Sequence, residues 1–151
     1  MVNVAGIERE LRLSLAVRPE VLRHIRRDLV TCLDSWGYGT VSDTAVLVVI
    51  ELLTNVYKHA GGQCDLLVIP VEPRLLITVS DAVWAVPARR EVSAGAEDGR
   101  GLVLIDELTE HWETVLTASG KDIRCSIRLP PAVKTMTATP PTSTPTATAK
   151  G

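Results

Sequence analysis

The sequence predicts a two-layer α/β sandwich, a mixed sheet with helices on one face. Three observations carry this. Apolar and polar residues alternate near both ends of the ordered chain, at 11–18 and 123–129, as half-buried strands require. Two long segments between them repeat apolar residues at helical spacing. The element order is strand, helix, helix, strand, strand, long loop, helix, strand, strand, so helices cluster early and strands late.

Each element has its own signature. Leu11, Leu13, Leu15 and Val17 alternate with Arg12, Ser14, Ala16 and Arg18. Pro19 then opens a helix, where its missing N–H is an orphan anyway. Val21, Leu22, Ile25, Leu29, Cys32, Leu33 and Trp36 follow at helical spacing, with Arg23, Arg26, Arg27 and Asp28 mostly on the other side. Gly37 and Gly39 stop that helix. A second helix starts at Ser42, read as its N-cap, and runs to about Ala60, where Gly61 and Gly62 end it. Cys64 to Val71 and Leu75 to Ser80 form two strands joined at Glu72–Pro73. The polar, small-residue segment from Ala82 to Asp98 has the length of a lid or binding loop, with Gly95 as its flexible hinge. Gly101 to Leu108 read as a short helix, and His111 to Thr117 and Asp122 to Leu129 as two strands joined by a Ser119–Gly120 turn. After Pro130 the composition falls to Pro, Thr, Ala and Ser, which bury no apolar surface. The expected organisation is one domain over 1–130 and a disordered tail over 131–151.

Composition narrows the function. Of 151 residues, 46% are apolar and none is Phe, so Leu, Val and Ile must fill the core. The net charge of −2 argues against broad nucleic-acid binding, which needs a basic face. The longest apolar run, Ala45 to Ile50, is far short of the roughly 20 residues that span a bilayer. The N-terminus lacks the apolar centre of a secretory signal. Cys32, Cys64 and Cys125 are odd in number, scattered and without metal-type spacing. They are expected to be reduced, buried thiols of a cytoplasmic protein that neither enters a membrane nor binds nucleic acid directly.

The end of the second helix, "ELLTNVYKHAGG", raises the functional question. Glu51, Asn55, Lys58 and His59 fall on one side, opposite Ala45, Val49, Leu53, Val56 and Ala60. A solvated face gives the same stripe. Val48, however, shares the polar side and Leu47 borders it, so the upper part is no simple wet face. The set also suits phosphoryl transfer. An amide oxygen such as that of Asn55 suits Mg²⁺, which keeps several waters and takes phosphate oxygens as further ligands. A carboxylate one turn away, Glu51, can take a proton from an attacking hydroxyl, and Lys58 can offset negative charge. Three further pieces follow in chain order. Asp81 ends a strand in "LLITVSDAVWAVP", where a carboxylate can accept from the amine of adenine or simply make a turn. Gly99, Arg100, Gly101 and Leu102 open a helix, where backbone N–H groups can meet phosphate. Lys121 follows Gly120 in the last hairpin, a candidate phosphate neighbour.

Together, the Glu-x-x-x-Asn helix, the strand-end Asp, the lid and the Gly-Arg-Gly-Leu opening resemble the histidine-kinase-like ATPase superfamily. Within it the chain is most similar to the small anti-sigma-factor serine kinases and related actinobacterial regulators, through "ELLTNVYKHA", "GRGL", "HWE" and "GKDI". The resemblance covers about residues 8 to 130 and implies the sandwich already inferred. It implies that Glu51 is the general base, Asn55 the Mg²⁺ ligand and Asp81 the reader of adenine. Gly99, Arg100, Gly101 and Leu102 would lie beside the triphosphate of ATP, with Lys58 and His59 in the Asn-containing box. Two departures stand out. The first glycine box, usually Asp-x-Gly, reads Asp81–Ala82–Val83, which lowers the expected affinity. The usual Thr of the last strands has only Ser126 as a counterpart.

The function implied is an ATP-binding regulator that phosphorylates a serine on an antagonist protein. The alternative is a binding module that holds a sigma factor or antagonist with weak or no nucleotide binding. Arginine-rich outer faces on the first strand and helix are where the analogy would place homodimer or sigma-factor contacts.

Overall fold

The computed structural model describes residues 9–84 and 97–131, with the backbone alone at 97–102. The N-terminal eight residues, most of the expected lid with its Gly95, and the tail from 132 lie outside the described residues. Strand β1 (Leu11–Ala16) leads into helix α1 (Pro19–Trp36) and a single 3₁₀ turn, Gly39–Val41. Helix α2 (Ser42–His59), the hairpin β2 (Gln63–Val71) and β3 (Arg74–Asp81), helix α3 (Glu97–Leu108), and the hairpin β4 (His111–Leu116) and β5 (Lys121–Arg128) complete it.

The five strands form one sheet in the order β1-β2-β3-β5-β4. Every neighbouring pair is antiparallel, so the sheet is not mixed as the element order suggested. The cause is local: β2–β3 and β4–β5 are hairpins, which are antiparallel by construction, and β5 runs opposite to β3 beside it. The helices form one layer, with α2 between α1 and α3 and resting on β2 and β3.

Period-two alternation aims one face of the sheet at that layer. Leu66 and Val68 of β2, Leu75, Ile77 and Val79 of β3, and Ile123, Cys125 and Ile127 of β5 are all buried. The register stacks them across strands: Leu66 is opposite Val79, Ile77 opposite Cys125 and Val79 opposite Ile123. From the helices come Leu29 and Leu33 of α1, Val48, Val49, Leu52 and Leu53 of α2 and Ile105 of α3, each fully buried. At about 2 kcal/mol for each large aliphatic side chain, this layer contact dominates stability.

Helix boundaries follow the expected residues, with two changes. Pro19 sits at the start of α1, and Gly37 ends it in the left-handed region at φ 90°. Gly61 and Gly62, at φ 79° and 87°, reverse the chain after α2; the N–H of Val17 then donates to the carbonyl of Gly62 at 2.7 Å. Ser42 is not the N-cap of α2. The 3₁₀ turn feeds straight into the helix, so Ser42 takes helical dihedrals and Val41 stands at the cap. The Ser42 hydroxyl is buried without a hydrogen-bond partner among the described residues. Helix α3 begins at Glu97, four residues before Gly101.

Two side-chain ties fasten the layers. The hydroxyl of buried Tyr38, which follows α1, donates to Glu72 in the β2–β3 turn. The Trp112 indole on β4 donates to Asp106 of α3 at 2.9 Å. At the rim, Glu110 accepts from Arg74 at 2.7 Å and Arg128 at 3.1 Å. The Arg74 hydrogen bond, helped by Arg128, holds its carboxyl below the usual carboxylate range.

The 21-residue segment Gly39–His59 is long and apolar enough to cross a membrane by length and composition, with mean hydropathy 1.4 over its most apolar 18 residues. Here its apolar face lies on the sheet, as a core helix requires.

Candidate functional site

Helix α2 positions two of the predicted groups. Glu51 and Asn55 lie one turn apart and are half-buried, beside Val48 and Leu52, which are fully buried. Their face is therefore not open solvent. Neither side chain makes a hydrogen bond or ion pair among the described residues. Among the described residues, two polar groups in the middle of the helical layer are thus left uncommitted, unlike the rim charges. Lys58 and His59 occupy the exposed last turn, where positive charge complements the helix C-terminus.

Gly99, Arg100, Gly101 and Leu102 lie in the first half of α3, which packs directly against α2. Both glycines are within the helix rather than ahead of it. The start of α3 belongs to the same layer as Glu51 and Asn55.

Asp81 closes β3 on the inward face, following Leu75, Ile77 and Val79 in parity, and is buried. Its environment holds the main surprise. Lys121, the first residue of β5, sits directly opposite it in the ladder. The Lys121 ammonium donates to Asp81 Oδ1 at 3.0 Å, and the side chains keep only 7% and 2% of their exposure. The same ammonium donates to the carbonyl of Val83 at 3.0 Å. The N–H of Val83 donates to the same Oδ1 at 2.8 Å, closing a turn of the kind Asp makes with the residue two further on. Lys121 is thus committed inside the protein. Asp81 Oδ2 accepts no hydrogen bond among the described residues.

The β4–β5 hairpin seals this corner. A Cβ on Gly120 would lie 1.9 Å from the Asp81 carbonyl oxygen and 2.6 Å from the Ala82 Cα, so only glycine allows the approach. The Trp84 indole donates to the carbonyl of Thr117 at 3.0 Å while its ring stays exposed. Ala82–Trp84 is therefore stitched to the hairpin at both ends. Ser126 lies elsewhere: it pairs with Leu76 on the opposite face of the sheet, five positions from Lys121. It does not approach the Asp81 carboxylate.

Sequence reasoning named Asp81 and Lys121 but not their partnership, and it missed the N–H of Val83. A signal existed. Lys121 shares parity with Ile123, Cys125 and Ile127, and a lysine on a buried face calls for a buried acid.

Among the described residues no three His, Cys, Asp or Glu side chains converge to hold a metal ion. The uncommitted amide of Asn55 fits a hard cation that arrives with its own waters and phosphate oxygens better than a protein-built cage. The cysteines are free thiols: Cys64 and Cys125 are buried and Cys32 half-buried. Burial pushes Cys64 up to about 11, with Asp65 and Asp81 adding to it, and Cys125 up to about 12.

No family model matches the chain. No curated protein matches it either. Among solved structures it is similar to the RsbU and RsbW domains of Rv1364c from Mycobacterium tuberculosis, with a TM-score of 0.57 and 15% identity. That match covers 80% of this chain, which spans 32% of the other. At this identity the likeness establishes a shared fold: a two-layer α/β sandwich with its helices on one side.

Proposed function

We propose that this chain is a regulatory protein of the anti-sigma-factor type that binds Mg·ATP between α2, the start of α3 and the end of β3. The observation that carries the reading is the pair Glu51 and Asn55. They are half-buried, one turn apart and uncommitted among the described residues, on the helix that touches both α3 and β3. The sequence resemblance supports the reading, and so does the fold shared with the RsbU and RsbW domains of Rv1364c.

In this reading Asn55 would hold Mg²⁺, which when bound neutralises phosphate charge. Glu51 would accept the proton of a serine hydroxyl on a partner protein. Residues 99–102 would lie along the triphosphate, with Lys58 and His59 at its rim, and Asp81 would meet the base. Calorimetric titration with Mg·ATP tests the binding: saturable heat in the wild type, lost in Asn55→Ala, supports it, and a heatless wild type removes the nucleotide. Phosphoryl transfer is tested separately. Glu51→Ala should bind Mg·ATP like the wild type yet pass no radiolabel to a partner; equal labelling would remove Glu51 as the base.

A second reading is favoured by one observation. With Lys121 on Asp81 and Val83 in place of a glycine, the base end is partly filled from within. The chain would then hold its protein partner with little help from nucleotide.

A further inference from the structure

We propose that Lys121 is an internal occupant of the base subsite, so that nucleotide enters only by displacing its ammonium from Asp81. The proposal rests on the nucleotide reading above and concerns the same site.

A purine amine is recognised by a carboxylate because it offers N–H to an anionic oxygen. At Asp81 that role is already filled. Oδ1 accepts from the Lys121 ammonium at 3.0 Å and from the N–H of Val83 at 2.8 Å. An incoming amine meets either an occupied oxygen or Oδ2 of a carboxylate whose charge a lysine already balances. A buried contact in which both partners are charged is stronger than the hydrogen bond from a neutral amine to the same carboxylate that would replace it. The lysine is also held in place. Its second bond to the Val83 carbonyl, the Trp84–Thr117 contact and the close approach of Gly120 tie β5 to the segment after Asp81. Lys121 is therefore a specificity-determining residue that sets how readily nucleotide binds.

The test is calorimetric titration of the wild type and Lys121→Thr with Mg·ATP, and in parallel with Mg·tripolyphosphate, which has no base. The Thr hydroxyl can still donate to Asp81, which spares part of the buried anion's partnership. The expected result is Mg·ATP affinity raised about tenfold or more, the scale of one charge-assisted hydrogen bond, with tripolyphosphate unchanged. Equal or weaker Mg·ATP binding by the variant, with the wild type binding well, overturns the proposal and leaves the nucleotide reading standing. Loss of tripolyphosphate binding also overturns it, because Lys121 would then serve the phosphates. If neither protein binds Mg·ATP, the nucleotide reading fails and this proposal with it. Should Lys121→Thr not fold, the wild type carries the test through acetylation of lysine amines read by mass spectrometry. Lys121 should be protected in the free chain relative to exposed Lys58, and saturating Mg·ATP should raise its labelling several-fold. Unchanged labelling at saturation overturns the displacement.

Discussion

Replacing Lys121 by Met keeps the aliphatic stem and removes the ammonium. The structure lets the cost be worked out. Asp81 keeps 2% of its side-chain exposure, so water cannot replace the lost donor. Its remaining partner among the described residues is the N–H of Val83, and the Val83 carbonyl loses a donor as well. Breaking one side of a buried ion pair costs about 3–5 kcal/mol, because the other charge is left uncompensated. Asp81→Leu should cost a similar amount, since it strands the ammonium and frees the Val83 N–H. The double variant has no stranded charge and should cost much less than the sum. The cycle should therefore give a coupling of about 2–3 kcal/mol, measured by urea unfolding of the four proteins. Two single losses below about 1 kcal/mol that simply add would refute a buried pair at this corner.

Other expectations follow from the same packing. Gly120→Ala puts a Cβ 1.9 Å from a backbone oxygen, and should lose about 3 kcal/mol or more by thermal melting. Gly61→Ala, which meets open space but holds φ 79°, should lose about 1 kcal/mol. Leu53→Ala removes a fully buried side chain and should cost about 2–5 kcal/mol in urea, whereas Leu47→Ala, 44% exposed, should stay within about 0.5 kcal/mol. The thiols give a pH signature. Folding raises Cys64 from near 9 to about 11 and Cys125 to about 12. The folded state then keeps protons that the unfolded state releases, so this stability is complete below pH 9 and is lost as pH rises toward 12. Denaturation midpoints at pH 8 and pH 10.5 check the sign, and Cys64→Ala with Cys125→Ala should flatten the fall.

The sheet and helices were legible because their signals are local. Leu11, Leu13 and Leu15, or Ile123, Cys125 and Ile127, announce a strand and its buried face without reference to a partner. Pro19, Gly37 and Gly61–Gly62 mark helix ends by backbone chemistry that neighbours do not override. What escaped depends on tertiary placement. Alternation does not say which strands pair, so an ion pair between Asp81 and a lysine 40 residues later was invisible as a pair. Antiparallel pairing throughout was hidden for the same reason. Ser42 failed as a cap because a 3₁₀ turn set its dihedrals, which the serine itself does not encode. Gly99 and Gly101 suggested a late start for α3 because glycine disfavours helix interiors, yet Glu97 and Asp98 before them suit a first turn. Glu51 and Asn55 were legible as a stripe. Their half-burial, and their lack of partners among the described residues, became visible only once α2 was seated between α1 and α3.

The central claim is that nucleotide occupies the corner where α2, the start of α3 and the end of β3 meet. Backbone amide chemical shifts of the full chain, recorded while Mg·ATP is added, test it most directly. Saturable shifts are predicted at Glu51–His59, at Asp81–Trp84 and at the start of α3. Shifts confined to the outer sheet face around Leu67, Ile69 and Leu76, or no shifts at all, would contradict it.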